Sequence, residues 1–175
     1  MQYIHKYQSP LGGITLASNG KQLTGLWFDR QKYFGATFLP THEEKNLPIF
    51  EETARWLDCY FQGKEPDFTP ALELRASSFR LKVWEILKRI PYGTVTTYGE
   101  IARSITPRAG SGSVSAQAVG GAVGPISILV PCHRVVGSSG SLTGYAGGIE
   151  KKIALLTLEG ADMRRLFVPK KGTAL

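Results

Sequence analysis

Cysteine, methionine and histidine are scarce: two, two and three residues in a chain of 175. Cys59 and Cys132 sit in different settings, one in a helical pattern and one in an aliphatic run, so they do not suggest a disulfide framework. A reduced, cytoplasmic chain fits better. Three scattered histidines and no C-x-x-C pair argue against a zinc site, and no other metal or cofactor is called for. No apolar run reaches the length of a membrane span, and Met1-Gln2-Tyr3-Ile4-His5-Lys6 lacks the apolar stretch of a signal peptide. Acidic residues are scarce in one half only. Residues 1–77 carry eight Lys/Arg against nine Asp/Glu, whereas residues 78–175 carry thirteen against five. The net charge of +7 thus comes entirely from the second half, which is the electrostatic footprint of a polyanion such as nucleic acid. The change near residue 77 predicts two domains, 1–77 and 78–175. What is plentiful is ordinary: 42% hydrophobic and 20% charged residues, enough for a packed core.

The first half reads as an antiparallel meander. Gln2 to Gln8 alternates loosely and stops at Ser9-Pro10. Ile14 to Ser18 and Leu23 to Phe28 follow, joined across Asn19-Gly20, a pair that tolerates positive φ. Residues 30–48 show no period. Ile49 to Gln62 is an amphipathic helix with Phe50, Thr53, Ala54, Leu57, Tyr60 and Phe61 on one face, stopped by Gly63. Cys59 lies off that face, and Ala71 to Ala76 is a short extended link.

The second half is helical first. Ser77 or Ser78 caps a helix from Phe79 to Ile90 with Phe79, Val83, Leu87 and Ile90 inward. Thr97-Tyr98-Gly99-Glu100 matches a capping box and starts a second helix. After a loop over 106–115, Ser113 or Ser115 caps a short helix of small residues, Ala116 to Ala122. Its adjacent Gly120 and Gly121 each cost about 1 kcal/mol against alanine. Close approach to a neighbouring backbone, a helix or nucleic acid would offset that. Helix, turn, helix, short helix and strand is the order of a helix-turn-helix with the small-residue helix as recognition helix.

The chain is organised around Ile128-Leu129-Val130-Pro131-Cys132-His133-Arg134-Val135-Val136. Aliphatic runs flank a thiol, an imidazole and a guanidinium. The flanks predict a buried strand that ends at a cleft, with Pro131 turning the chain. A thiol becomes a nucleophile when a base or cation lies beside it, and His133 and Arg134 offer both. Against this, a lone cysteine among aliphatics is commonly a small buried hydrophobe. Residues 137–148 are rich in Gly and Ser and could form one wall of a pocket, with Tyr145 as its aromatic face. A last helix, Ile149 to Glu159, points Ile149, Ile153 and Leu156 inward. Glu159 in its final turn is disfavoured by the helix dipole; a buried partner such as His133 would explain it, while a solvated carboxylate is the commoner case.

Pro131-Cys132-His133-Arg134-Val135 resembles the active-site signature of the alkylguanine-DNA alkyltransferases (methylated-DNA–protein-cysteine methyltransferases). The resemblance extends through Ser9-Pro10-Leu11-Gly12, Tyr98, Gln117 to Ala122, Gly144-Tyr145-x-Gly147-Gly148 and Leu158-Glu159-Gly160. It implies an α/β (α+β) protein. An RNase H-like domain with an antiparallel sheet precedes a winged helix-turn-helix domain that binds DNA and transfers alkyl groups. The implied partner is double-stranded DNA containing alkylated guanine. It is gripped from the minor groove by a monomer without cofactor, and the damaged base is flipped out. The implied reaction is irreversible transfer of the alkyl group from the guanine oxygen to Cys132. His133 would act as base through a water, Glu159 would orient it, and Tyr98 would donate to the departing ring. The Val135 carbonyl and Ala146 amide would contact the base, and Tyr145 the alkyl group. Ser115, Gln117, Ala118 and Gly121 on the recognition helix, with Arg134, complete the expected DNA- and substrate-binding set.

Two features depart from the family pattern. Gln117 stands where many members have an arginine that fills the gap left by the flipped base. The turn at Val123-Gly124-Pro125 is short and lacks an Asn-Pro, which predicts a looser turn and slower transfer. Two rival functions remain: a non-catalytic lesion binder of the same fold, and a thiol hydrolase using Cys132 and His133.

Overall fold

The structure is a computed structural model and describes residues 1–32, 34–35, 38–106, 114–122 and 126–170. These form two compact units, residues 1–75 with 126–129, and residues 76–122 with 130–170. Among the described residues, no helix is long and apolar enough to cross a membrane.

In the first unit, β1 (Gln2–Ser9), β2 (Gly12–Ser18) and β3 (Leu23–Phe28) are antiparallel neighbours, with β2 between the other two. The β1–β2 ladder closes at Ser9↔Gly12, where Ser9 Oγ accepts from the Leu11 amide at 3.1 Å and donates to the Gly12 carbonyl at 2.6 Å. Asn19 turns the chain into β3 as its sequence suggested, its Oδ1 accepting from the Lys21 and Gln22 amides at 2.9 Å each. From Ile14 to Ser18, β2 is buried on both faces, as a central strand should be.

A fourth strand was not foreseen. β4 (His42–Glu44) pairs parallel to β1, so the sheet is mixed rather than purely antiparallel. Its three residues are polar and exposed, so no apolar alternation marks it.

Helix α1 (Pro48–Phe61) carries Pro at its start, where the missing N–H costs nothing, and Gly63 at φ 76° follows its end. Its buried face is Ile49, Phe50, Thr53, Trp56, Leu57 and Tyr60. Trp56 displaces Ala54 and Phe61, which are only half-buried. His5 of β1 stacks on Phe50 at 5.6 Å, and Tyr7 Oη donates to Asp58 at 2.6 Å, so α1 covers β1.

The aliphatic run before Cys132 is the clearest departure from the sequence reading. Ile126 bridges Leu26, and the Ser127 amide donates to the Leu26 carbonyl at 3.2 Å, which attaches this segment to β3. Ile128, Leu129 and Val130 are buried but form a turn, not a strand. Ile128 has φ 68°, a left-handed conformation strained for a β-branched side chain. Hydrophobicity reported burial here; it did not report strand.

In the second unit, α2 (Ser78–Leu87) is capped by Ser77, whose side chain accepts from the Arg80 amide. The residues it buries are Val83, Trp84 and Leu87, while Phe79 is only half-buried. Trp84 Nε1 donates to the Ala122 carbonyl at 2.7 Å, fixing α2 to the end of α4. A short strand β5 (Thr96–Thr97) leads directly into α3 (Tyr98–Ile105), where Thr97 and Glu100 make the reciprocal capping box read from the sequence. Helix α4 (Ala116–Gly120) is capped by Ser115 and ends two residues earlier than expected, with Gly121 as its C-cap. The other cap candidate, Ser113, and the turn at Val123-Gly124-Pro125 lie outside the described residues. β6 (Val135–Val136) pairs in parallel with β5, and α5 (Ile149–Leu158) closes the unit. Its core joins Val136, Leu142, Leu156 and Ala161, with Ile149 and Ile153 packed against them.

Candidate active site

Cys132, His133 and Arg134 form a single 3-10 turn entered from Pro131, whose ψ of 63° bends the chain. The turn leads straight into β6, and β6 pairs Val135 with Thr96 and Val136 with Thr97. Because Thr97 is the cap of α3, this short ladder fixes Tyr98 relative to the cysteine turn. Two short strands thus bring together residues far apart in sequence.

The turn also resolves a geometric difficulty. Adjacent residues on a strand point to opposite faces, whereas a 3-10 turn gathers successive side chains on a tighter arc. The thiol does not open into a cleft: Cys132 is 3% exposed and His133 0%.

Around the turn, charge is concentrated on Glu159, the C-cap of α5. Its Oε1 lies 2.7 Å from His133 Nε2 and accepts from Arg134 Nη2 at 2.9 Å; its Oε2 accepts from Arg134 Nε at 2.9 Å and the Gly93 amide at 3.2 Å. Gly93 has φ 75°, and a Cβ there would lie 2.8 Å from the Glu159 carbonyl, so only glycine lets the two backbones meet. Arg134 also donates to the Ile90 carbonyl at 2.7 Å and stacks over Tyr92 at 5.6 Å. Its guanidinium is therefore turned toward Glu159 and the end of α2.

These contacts set the protonation states. Burial alone would raise the Glu159 carboxyl, but hydrogen bonds from His133 and Arg134, with the Arg134 charge beside it, hold it down to about 2. An ionised carboxylate only accepts, so His133 must donate Nε2–H to it, which leaves the imidazole lone pair on Nδ1. Burial pushes His133 below its usual range, against the pull of Glu159, so the ring is neutral at pH 7. Burial also pushes the Cys132 thiol up to about 11, opposed by Lys152 and by the amides of the turn. At rest the site holds a thiol, a neutral imidazole with a fixed tautomer, and a carboxylate.

Tyr98 Oη lies 3.1 Å from the carbonyls of both Thr143 and Gly144. Burial and the nearby Cys132 raise its hydroxyl well above the tyrosine range, so it is a donor. Tyr145 meets His133 edge to face at 6.3 Å, and Val135, Tyr145 and Ala146 are all buried. Ser115, Gln117, Ala118 and Gly121 are exposed on and beside α4. A Cβ at Gly120 would lie 3.9 Å from the Tyr98 ring, so α4 runs alongside this tyrosine. Among the described residues, no cluster of three or more His, Cys, Asp or Glu could hold a metal ion.

Sequence reasoning missed Lys152. It is fully buried on α5 and donates to the carbonyls of Val135 and Thr143, the latter at 2.7 Å. The signal existed: Lys152 stands three residues after Ile149 and four before Leu156, on the apolar stripe of its helix.

Two family models match in succession. Residues 2–75 match the ribonuclease-like domain of 6-O-methylguanine DNA methyltransferase, and residues 78–161 match its DNA binding domain. The methylated-DNA–protein-cysteine methyltransferase of Mycobacterium bovis is 43% identical over 161 residues, covering 91% of this chain and 93% of its own length. That of Methanosarcina acetivorans is 41% identical over 162 residues, covering 91% and 99%. The crystal structure of Mycobacterium tuberculosis OGT in complex with DNA superposes with a TM-score of 0.77 at 41% identity, covering 90% of this chain and 92% of that one. The chain belongs to the 6-O-methylguanine DNA methyltransferase family.

Proposed function

We propose that this protein repairs DNA by direct reversal, moving the alkyl group of an O-alkylated guanine in duplex DNA onto Cys132 in a single irreversible turnover. The observation that carries the assignment is the His133–Glu159 hydrogen bond of 2.7 Å beside the buried thiol. It leaves a neutral imidazole base where a thiol must lose its proton. Residues 78–175 do both the DNA binding and the transfer, and residues 1–77 form the α/β domain that precedes them.

In the transfer, the Cys132 proton passes through one water to His133, and Glu159 stabilises the imidazolium that results. Sulfur bonds to the alkyl carbon as the carbon–oxygen bond breaks toward the guanine. The ring takes up negative charge and accepts a proton from Tyr98. The Val135 carbonyl and Ala146 amide read the base, and Tyr145 packs on the alkyl group. Arg134 acts through Glu159, holding the carboxylate that orients His133. A thioether has no path back to a thiol here, so each molecule acts once.

Ser115, Gln117, Ala118 and Gly121 face the duplex from the minor-groove side, and a monomer suffices. Free thiols at Cys59 and Cys132 suit a reducing, cytoplasmic setting. The C-cap glycine of α4 supports this placement. Among the described residues, a Cβ at Gly121 would meet only the Gln117 and Ala118 carbonyls at 3.7 Å, an ordinary contact. No neighbouring backbone among the described residues requires the glycine, and close approach of nucleic acid would. Gly121→Ala is expected to melt at the same temperature or higher, gaining up to about 1 kcal/mol, while binding duplex DNA several-fold more weakly. Unchanged affinity in a fluorescence titration would remove Gly121 from the interface.

Intact mass after mixing with a duplex carrying one O-methylated guanine tests the function. A stoichiometric gain of one methyl, mapped to Cys132, is expected. Lesion-selective binding without a mass gain would make the protein a sensor instead, and repeated turnover of an ester would make it a hydrolase.

A further inference from the structure

Helix α4 carries the face assigned above to the duplex, yet it holds no charge of its own. From Ser115 to Ala122 every side chain is neutral. The last carbonyls of a helix have no partner within it, and they carry partial negative charge at its C-terminal end. A DNA phosphate approaching Gly121 would therefore be repelled by α4 alone. Helix α2 supplies what is missing. Arg80 Nη2 donates to the Gly121 carbonyl at 3.4 Å, and Trp84 Nε1 donates to the Ala122 carbonyl at 2.7 Å. The two donors are four residues apart, so they project from one face of α2.

These two contacts differ in kind. Trp84 is buried and its indole has a single N–H, so its bond to Ala122 is complete. Arg80 is exposed, and the Gly121 carbonyl engages one N–H of a guanidinium fork at the long end of the hydrogen-bond range. Its backbone is fixed as well, because the Arg80 amide donates to the Ser77 cap at 3.4 Å. Among the described residues no carboxylate pairs with Arg80, whereas Lys88, Arg134 and Arg164 are matched to Glu85, Glu159 and Asp162. A tethered guanidinium with donors to spare suits a phosphate, which accepts two parallel N–H bonds from such a fork.

We propose that Arg80 is a ligand for a DNA backbone phosphate, held by the Gly121 carbonyl at the end of α4 and supplying the cation that this helix lacks. The contact carries no sequence information; it fixes how α4 settles against the duplex. The inference rests on the reading of α4 as the duplex-facing helix, and its test separates the two.

Duplex Kd is measured by fluorescence titration over a series of salt concentrations, using the full-length protein in a Cys132→Ala background. Arg80→Gln is expected to bind methylated and unmodified duplex alike about tenfold more weakly. It should also lower the slope of log Kd against log salt by about one. Arg80→Lys should keep the parent slope, because the charge remains. Lys82→Gln removes the same charge from the other side of α2, in the groove against α3, and should keep both affinity and slope. A parent that binds no duplex at low salt, or a Gly121→Ala variant of unchanged Kd, would sink the reading of α4 as the duplex-facing helix. If the parent binds and Gly121→Ala weakens it, an unchanged salt slope in Arg80→Gln would overturn the Arg80 proposal alone. Equal losses in Lys82→Gln would overturn it too, by showing a diffuse field rather than a contact. So would loss of the fold in Arg80→Gln, which would make the arginine a helix cap only.

Discussion

Cys132→Ala is expected to bind a methylated duplex as tightly as the parent and to leave every methyl group on the DNA. A thiolate is a far better nucleophile toward a saturated carbon than a neutral imidazole or a phenol, so no measurable residual rate is expected from His133 or Tyr98. The fold should survive. Cys132 is 3% exposed, and exchanging a buried thiol for a methyl removes one small apolar atom, on the order of 1 kcal/mol. Intact mass and a duplex titration on one preparation check both halves. A variant that still gained 14 mass units from the lesion, an increment of about one CH₂ on any acceptor, would place the acceptor elsewhere, with Cys59 the first residue to map.

Glu159→Gln is expected to be the most damaging isosteric change in the second unit. The carboxylate accepts from His133, from two nitrogens of Arg134 and from Gly93. An amide offers one acceptor oxygen and turns an NH₂ toward a guanidinium that is itself only a donor. Breaking a buried ion pair by removing one partner costs about 3–5 kcal/mol, which lowers Tm by roughly 10 °C in a chain of this size. Transfer should fall on the order of a thousandfold or more, because the His133 tautomer is no longer fixed. The effect carries a pH signature. With the Glu159 carboxyl at about 2 in the folded protein and near 4.3 in the unfolded chain, the folded state binds fewer protons. Its contribution to stability is full above the unfolded value and disappears as pH falls toward 2. The parent should lose stability steeply across that window in thermal melts, and Glu159→Gln should lose much less. Parallel curves for the two proteins would refute the assignment of the ionised carboxylate.

Much of the site was legible because its residues are out of place as structural residues. A carboxylate at the end of a helix is disfavoured by the dipole, so Glu159 stands out in the sequence, and it meets His133. The Thr97–Glu100 capping box and the Ser115 cap were readable because capping is local chemistry between residues three apart. Other features depend on contacts that sequence does not display. Ile128 to Val130 is as aliphatic as a strand but finds no ladder partner among the described residues and turns at a strained φ. The β4 strand is polar because it is an exposed edge, and its partner β1 lies about forty residues away. Trp56 and Trp84 are buried although the helical stripes of α1 and α2 are already complete without them, so periodicity does not single them out. Lys152 escaped because a lysine on a helix is usually solvated, and only the two carbonyls it reaches show otherwise.

The burial of Cys132 bears on how the protein waits. A reagent that acts once is wasted if peroxide or a passing electrophile reaches it first, and oxidation proceeds through the thiolate. With the thiol pushed up to about 11, only about one molecule in ten thousand is ionised at pH 7. The enclosed sulfur thus gives the unused protein a long shelf life. On the transfer proposed above, the same enclosure means that a damaged base must enter before the sulfur is ready to react.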